Sequence, residues 1–173
     1  ANTLSLHDAL PICIMGIIRN FIDIVGITPE NELPKEIKGQ LIQTSETENI
    51  FIANEVSDIK NIYQIVIDME VKGSRVICVN HSKVVVIDCV KKTKIVYYNS
   101  NDSVSVLDLI TPYNTFVEIN EKEEIDDIKI CIADAYFELI NKGTLYSHIL
   151  YFINVIYCKA KIGRASCRER VFA

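Results

Sequence analysis

The sequence predicts a mainly β protein, a sandwich or partly closed barrel of eight or more short strands with a short N-terminal helix. Three observations carry this. Apolar residues alternate with polar ones along YQIVIDMEVK, where Ile65, Ile67, Met69 and Val71 share one face and Gln64, Asp68, Glu70 and Lys72 the other. Short β-branched and aromatic runs (SRVICVN, KVVVIDCV, TKIVYYN, SVSVLDL, YNTFVEI, DIKICIADAYFEL) follow one another at strand spacing. Polar breaks divide them at Asn80-His81-Ser82, Lys91-Lys92, Ser100–Ser103 and Asn120–Asp127.

Taken in order, the first element is MGIIRNFIDIVG, Met15–Gly26. Ile17, Ile18, Phe21, Ile22 and Val25 fall at helical spacing with Arg19, Asn20 and Asp23 between them, and Gly26 closes the run. Thr28–Pro34 (TPENELP) reads as a loop, because two prolines and an Asn suit turns rather than a ladder. From Lys38 onward the pattern is that of strands. Asn141-Lys142-Gly143 reads as the turn of a hairpin into LYSHILYFINVIYC. Periodicity alone leaves Leu145–Tyr157 open between a buried helix and a strand, and its Tyr, Ile, Val and Phe favour a strand.

The chain has 173 residues, 49% hydrophobic and 24% charged, with a net charge of −5. Those figures fit one globular domain with a sizeable core. The acidic balance argues against a nucleic-acid or anionic-membrane surface, which needs clustered Lys and Arg. No apolar run reaches the roughly 18–20 residues that span a bilayer. Residues 9–18 (ALPICIMGII) lack the basic flank and small-residue cleavage site of a signal peptide.

The two ends differ from everything between them. TLSLHDALPI, Thr3–Ile12, can be encoded by ACT CTT TCC CTA CAC GAC GCT CTT CCG ATC. Lengthened by one T and read on the opposite strand, that DNA gives IGRASCRERV, the sequence of Ile162–Val171. It also resembles a common short-read sequencing adapter. Residues 1–14 and 162–173 are therefore expected to be adapter-derived, and are set aside as fusion scars are. With them go His7, Asp8, Cys167 and the three Arg of the C-terminal segment. The flanks carry Asp8 and Glu169 against Arg164, Arg168 and Arg170, so the stretch between them has a net charge of −6. The expected organisation is then a helix and loop over 15–37 and a β domain over 38–161.

Chemistry is sparse in that stretch. Cys78, Cys89, Cys131 and Cys158 show no CxxC spacing of a zinc or redox site and read as core thiols. His81 sits in a predicted turn and His148 in the last apolar run, neither with a second ligand at metal spacing. The acidic cluster Glu121–Glu124 with Asp126-Asp127 lacks the glycine and ligand spacing of a calcium loop. Gly16, Gly26, Gly39, Gly73 and Gly143 are isolated, so no phosphate loop forms. There is no GxSxG elbow, and Ser74, Ser82 and Ser105 have no base near them in sequence. The sequence therefore predicts no enzyme, no metal and no cofactor.

Several segments carry a resemblance. MGIIRNFIDIVGITPENELPKEIKGQ, DIKNIYQIVIDMEVKGSRVI, KTKIVYYN, LITPYNTFVEI, IADAYFEL and YSHILYFINVIY together resemble the SPOCS domain of SipL-type spore-coat assembly proteins of clostridia. The Tyr97-Tyr98 strand followed by Pro112-Tyr113-Asn114-Thr115-Phe116 is similar to that family's pattern. The resemblance implies a mainly β module without catalysis, acting by protein–protein contact with spore-coat or other morphogenetic proteins. It implies a cytoplasmic setting in the mother cell, at the forespore surface. SipL-type proteins follow SPOCS with a LysM domain, which these 173 residues do not include, so the coat role rests on the module alone. Tyrosines and other aromatics are enriched at interfaces. Pro112, Tyr113, Phe116, Tyr97 and Tyr98, together with exposed strand edges, are accordingly the expected contact surface. Two rivals remain: a glycan- or other ligand-binding β domain with a concave aromatic patch, and a hydrolase in which His148, Asp134 and a Ser or Cys converge.

Overall fold

A computed structural model describes residues 22–34, 39–52, 59–119 and 124–158. They form seven strands: β1 (Asp23–Val25), β2 (Gly39–Phe51), β3 (Ile59–Val79), β4 (Ser82–Asn99), β5 (Val104–Ile119), β6 (Ile125–Asn141) and β7 (Thr144–Tyr157). One sheet has the order β1-β3-β4-β5 and the other β2-β7-β6. The chain is thus mainly β, with two sheets and no closed barrel.

The number of strands is lower than the sequence predicts because several runs are continuous. YQIVIDMEVK and SRVICVN both lie in β3, KVVVIDCV and TKIVYYN in β4, and SVSVLDL and YNTFVEI in β5. Lys91-Lys92 is no break: Lys91 points inward in phase with Cys89 and Ile95, and Lys92 points outward. The turns at Asn80-His81, Ser100–Ser103 and Lys142-Gly143 fall where the sequence places them. Asn80 and His81 take φ of 48° and 69°, the conformation of a two-residue hairpin loop that matches the twist of its strands. Leu145–Tyr157 is strand, the centre of its sheet.

The predicted helix over Met15–Gly26 is corrected where the structure describes it. Asp23–Val25 is a strand, parallel to β3, with Asp23 opposite Gln64 and Val25 opposite Val66. Residues 15–21 lie outside the described residues, as do 1–14 and 162–173. Over the described part the apolar pattern has period two: Ile22 and Ile24 pack on the core while Asp23 and Val25 are exposed. The Gln64 amide donates to the Asp23 carboxylate at 2.6 Å, a cross-strand contact no helix would offer. Gly26 does not stop a helix. It takes φ 110° and lies so close to β3 that a Cβ would sit 1.9 Å from the Ile67 carbonyl oxygen. The chain then crosses to the other sheet, where the Thr28 amide donates to the Ile132 carbonyl at 2.8 Å and its hydroxyl accepts from the Ile132 amide at 3.1 Å.

Two apolar clusters fill the space between the sheets. One gathers Ile62, Ile65, Ile67, Ile95 and Tyr97 of the first sheet against Ile132, Phe137, Leu145, Ile149 and Tyr151 of the second. The other gathers Val85, Ile87, Cys89, Val117 and Ile119 against Ile153 and Val155. On β4 they are separated by Lys91 and Thr93, both buried.

Candidate interaction surface

Side chains alternate between the faces of a strand, so neighbours in sequence cannot share a surface. That rule divides the five residues expected to form the contact. Tyr97 is 3% exposed and lies in the core. Tyr113 also points inward, and its ring lies 5.1 Å from that of Tyr151 at 36°. These two are corrected in placement: both rings face the second sheet and not the outer surface. Tyr98, Pro112 and Phe116 face outward on the four-stranded sheet, and Phe116 is 73% exposed.

Around Phe116 the outer face of this sheet is apolar. Ile77 and Val79 of β3, Val84 and Val86 of β4, and Phe116 of β5 line a shallow depression of about 300 Å³ together with Asn114 and Thr115. Ile77, Val79 and Phe116 are all exposed. The reason is the face they take: paired with Val84, Ser82 and Val86, they point to the outer side of the four-stranded sheet, away from the second sheet. On the inner side the second sheet still covers Val85 of β4 but not its neighbour Val76 on β3, so the end of β3 is an uncovered edge. Cys78 is corrected for this reason: it is exposed on that edge and is not a core thiol. Cys89 is buried, and Cys131 and Cys158 are half-buried.

Pro112 has a different role from the one its neighbours suggest. In the β4–β5 hairpin the Asn99 amide donates to Ser103 at 3.0 Å, so Asn99 and Ser103 form a hydrogen-bonded pair. Hydrogen-bonded and non-bonded pairs alternate along an antiparallel ladder. The register runs without shifts to Val90–Pro112, which falls on a non-bonded pair. The nitrogen of Pro112 therefore points to the free edge of β5, where it deprives an incoming strand of a donor.

Between the sheets lies a polar seam that the sequence analysis missed. The Lys91 ammonium, its side chain 3% exposed, donates to Glu48 at 2.7 Å and to Glu46 at 2.9 Å. The Tyr151 hydroxyl donates to the other Glu46 oxygen at 2.9 Å. The available signal is phase: Lys91 falls in step with Ile87, Cys89 and Ile95, and Glu46 and Glu48 with Ile42 and Ile50. Burial, with Glu46 close by, holds the Tyr151 hydroxyl above its ordinary range, and burial does the same for Tyr113. Burial, helped by the adjacent Asp88 charge, pushes the Cys89 thiol up to about 11. Each of these groups is thus held in its neutral, weakly nucleophilic form.

The other residues singled out from the sequence are dispersed. His148 Nδ1 lies 2.9 Å from the Thr47 hydroxyl, on the outer face of the three-stranded sheet. Asp134 accepts from the Ala135 amide at 2.9 Å. The bonds of His148 and Asp134 thus do not assemble a triad with a Ser or Cys. His81 is at the exposed hairpin tip. Of the acidic cluster, only Glu124, Asp126 and Asp127 are described, and among the described residues no group of three His, Cys, Asp or Glu could hold a metal ion. Among the described residues, too, no helix is long and apolar enough to cross a membrane. No family model, curated protein or solved structure matches the chain.

Proposed function

We propose that this chain is a non-enzymatic protein–protein interaction module that docks a protein partner on the outer face of its four-stranded sheet, around Phe116. The observation that carries the reading is the apolar surface of Ile77, Val79, Val84, Val86 and Phe116 on the outer face of the sheet. Contiguous exposed apolar surface rimmed by polar groups marks interaction sites, and aromatic side chains dominate their energetics. The neutral state of buried Tyr151 and Cys89 and of half-buried Tyr113 supports a non-catalytic reading. The resemblance to the SPOCS family supplies the setting: a spore-coat morphogenetic protein as the partner, in the mother cell.

The test is a two-hybrid matrix of the full chain against the coat morphogenetic proteins of a sporulating clostridium, followed by binding measurements on the purified pair. Phe116→Ala removes only an exposed ring, so its melting temperature should match the parent's. Its affinity for the partner should fall on the order of 30-fold, as for an aromatic hot spot. Retention of every coat-protein contact by this variant would overturn the reading. Tyr113→Ala is unsuitable, because it would open the core beside Tyr151.

A further inference from the structure

We infer that two copies of this chain pair antiparallel through the free edge of β3 at Ser74–Val79, forming one continuous sheet β5-β4-β3-β3-β4-β5. The inference rests on the reading of this sheet end as a contact surface and names one of its occupants. Edge strands carry unpaired backbone groups, and folded proteins blunt them with prolines, bulges, inward charges or covering segments. The edges of β5, β2 and β6, and the middle of β3, each carry such a device. β5 has Pro112 at the edge. β2 has Glu46 and Glu48 turned inward on Lys91. β6 has register shifts at three places and receives Thr28 at Ile132. The middle of β3 is covered by β1 at Gln64–Val66.

Among the described residues, Ser74–Val79 has none of these along its length, the bulge at Val71/Gly73 ending just before it. Its residues are Ser, Arg, Val, Ile, Cys and Val, a short β-branched window of the kind that pairs readily. Val76, Ile77, Cys78 and Val79 are all exposed, so both faces of the strand are open. Charge favours a second copy as the occupant. The chain carries −5 overall, so two copies meet most easily where unpaired carboxylates are absent. Within Ser74–Val79 the sole charge is Arg75, and Asp88 of the same chain pairs with it. Two such edges meet without net repulsion.

The hairpin geometry sets the register. Val79 and Ser82 flank the two-residue turn and form its hydrogen-bonded closing pair. By alternation, Ser74, Val76 and Cys78 turn their backbone groups to the free edge. A two-fold axis at Val76 places Val76 opposite Val76 of the second copy and Ser74 opposite Cys78, and every one of those groups gains a partner. The two bodies then extend in opposite directions from the paired ends, away from β1. Phe116 stands two strands from this edge and takes no part in it.

Sedimentation velocity on the full chain tests this, with two variants. The parent should sediment as a dimer at micromolar concentration. Val76→Pro deletes an N–H that faces the edge and belongs to no β3–β4 bond, so it should yield a monomer with an unchanged far-ultraviolet spectrum. Ser74→Cys should give a covalent dimer under mild oxidation, since hydrogen-bonded pairs hold Cα atoms about 5.5 Å apart, within disulfide range. Adding Cys78→Ser should abolish that cross-link. A monomeric parent overturns the inference, as does a dimer that survives Val76→Pro or a dimeric Ser74→Cys protein that does not cross-link through Cys78. If Val76→Pro fails to fold, the cysteine pair decides alone. Phe116→Ala should leave the dimer intact, so loss of partner binding and loss of the dimer are separable failures.

Discussion

The Lys91 ammonium and the Glu48 carboxylate meet at 2.7 Å across the gap between the two sheets, with Glu46 as the second acceptor. The cation is buried while both acids reach solvent in part, so the three groups are unequal. Removing the carboxylates strands a buried charge, whereas removing the lysine leaves acids that water can still reach. Lys91→Ala should lower unfolding free energy by about 2–3 kcal/mol, from the lost pair and the cavity together. Lys91→Met, which keeps the aliphatic packing, should cost less than about 1 kcal/mol. Glu46→Gln combined with Glu48→Gln should cost more than Lys91→Met, and urea unfolding orders the three.

Tyr113 and Tyr151 give the fold an alkaline limit. Both hydroxyls are held above their ordinary value in the folded state, Tyr151 by burial and Glu46, Tyr113 chiefly by burial. A group whose folded value is raised contributes stability that is complete below its unfolded pKa, here about 10, and lost as pH climbs beyond it. Stability should therefore fall above about pH 10. Tyr151→Phe should flatten that fall, as followed by thermal melts across the alkaline range. A parent whose melting temperature is level through that range would contradict the assignment.

Glu70 behaves in the opposite sense. Its carboxylate accepts from the ammonium groups of Lys72 and Lys92, which hold it down at about 2. A depressed value favours the folded state above the ordinary carboxylate pKa, and that contribution disappears as pH falls toward 2. The side chain is 42% exposed, so salt screens the effect. Side-chain carboxyl NMR should find Glu70 titrating far below the ordinary carboxylate range at low ionic strength. Lys72→Ala with Lys92→Ala should return it to the ordinary range.

The cysteines should separate kinetically. Cys78 stands exposed on the edge of β3, while Cys89 is buried with its thiol pushed up to about 11. Because the thiolate is the reacting form, iodoacetamide at mildly alkaline pH should label Cys78 first and Cys89 only upon unfolding. Peptide mass spectrometry reads the order directly. Equal labelling of both in the folded protein would show that the second sheet does not bury Cys89.

Much of this molecule is legible in the sequence because its physics is local. Alternation along YQIVIDMEVK and KVVVIDCV, the turns at Asn80-His81 and Lys142-Gly143, and the β-branched bias of Leu145–Tyr157 all act within a few residues. The sequence therefore determined a mainly β chain and most of its turns. Tertiary structure decided what depends on neighbours distant in the chain. Asp23–Val25 is a strand because Gln64–Val66 offers it an open edge, against a local pattern that reads as helix. Tyr97 and Tyr113 were absorbed into the core while Phe116 was left outside, since a face is inner or outer only once a second sheet covers it. Lys91 ceased to be a break because Glu46 and Glu48 stand across the gap to receive it. The exposed surface at Ile77, Val79 and Phe116 exists because the second sheet packs on the opposite face of β4 and β5, a choice of side that no single strand records.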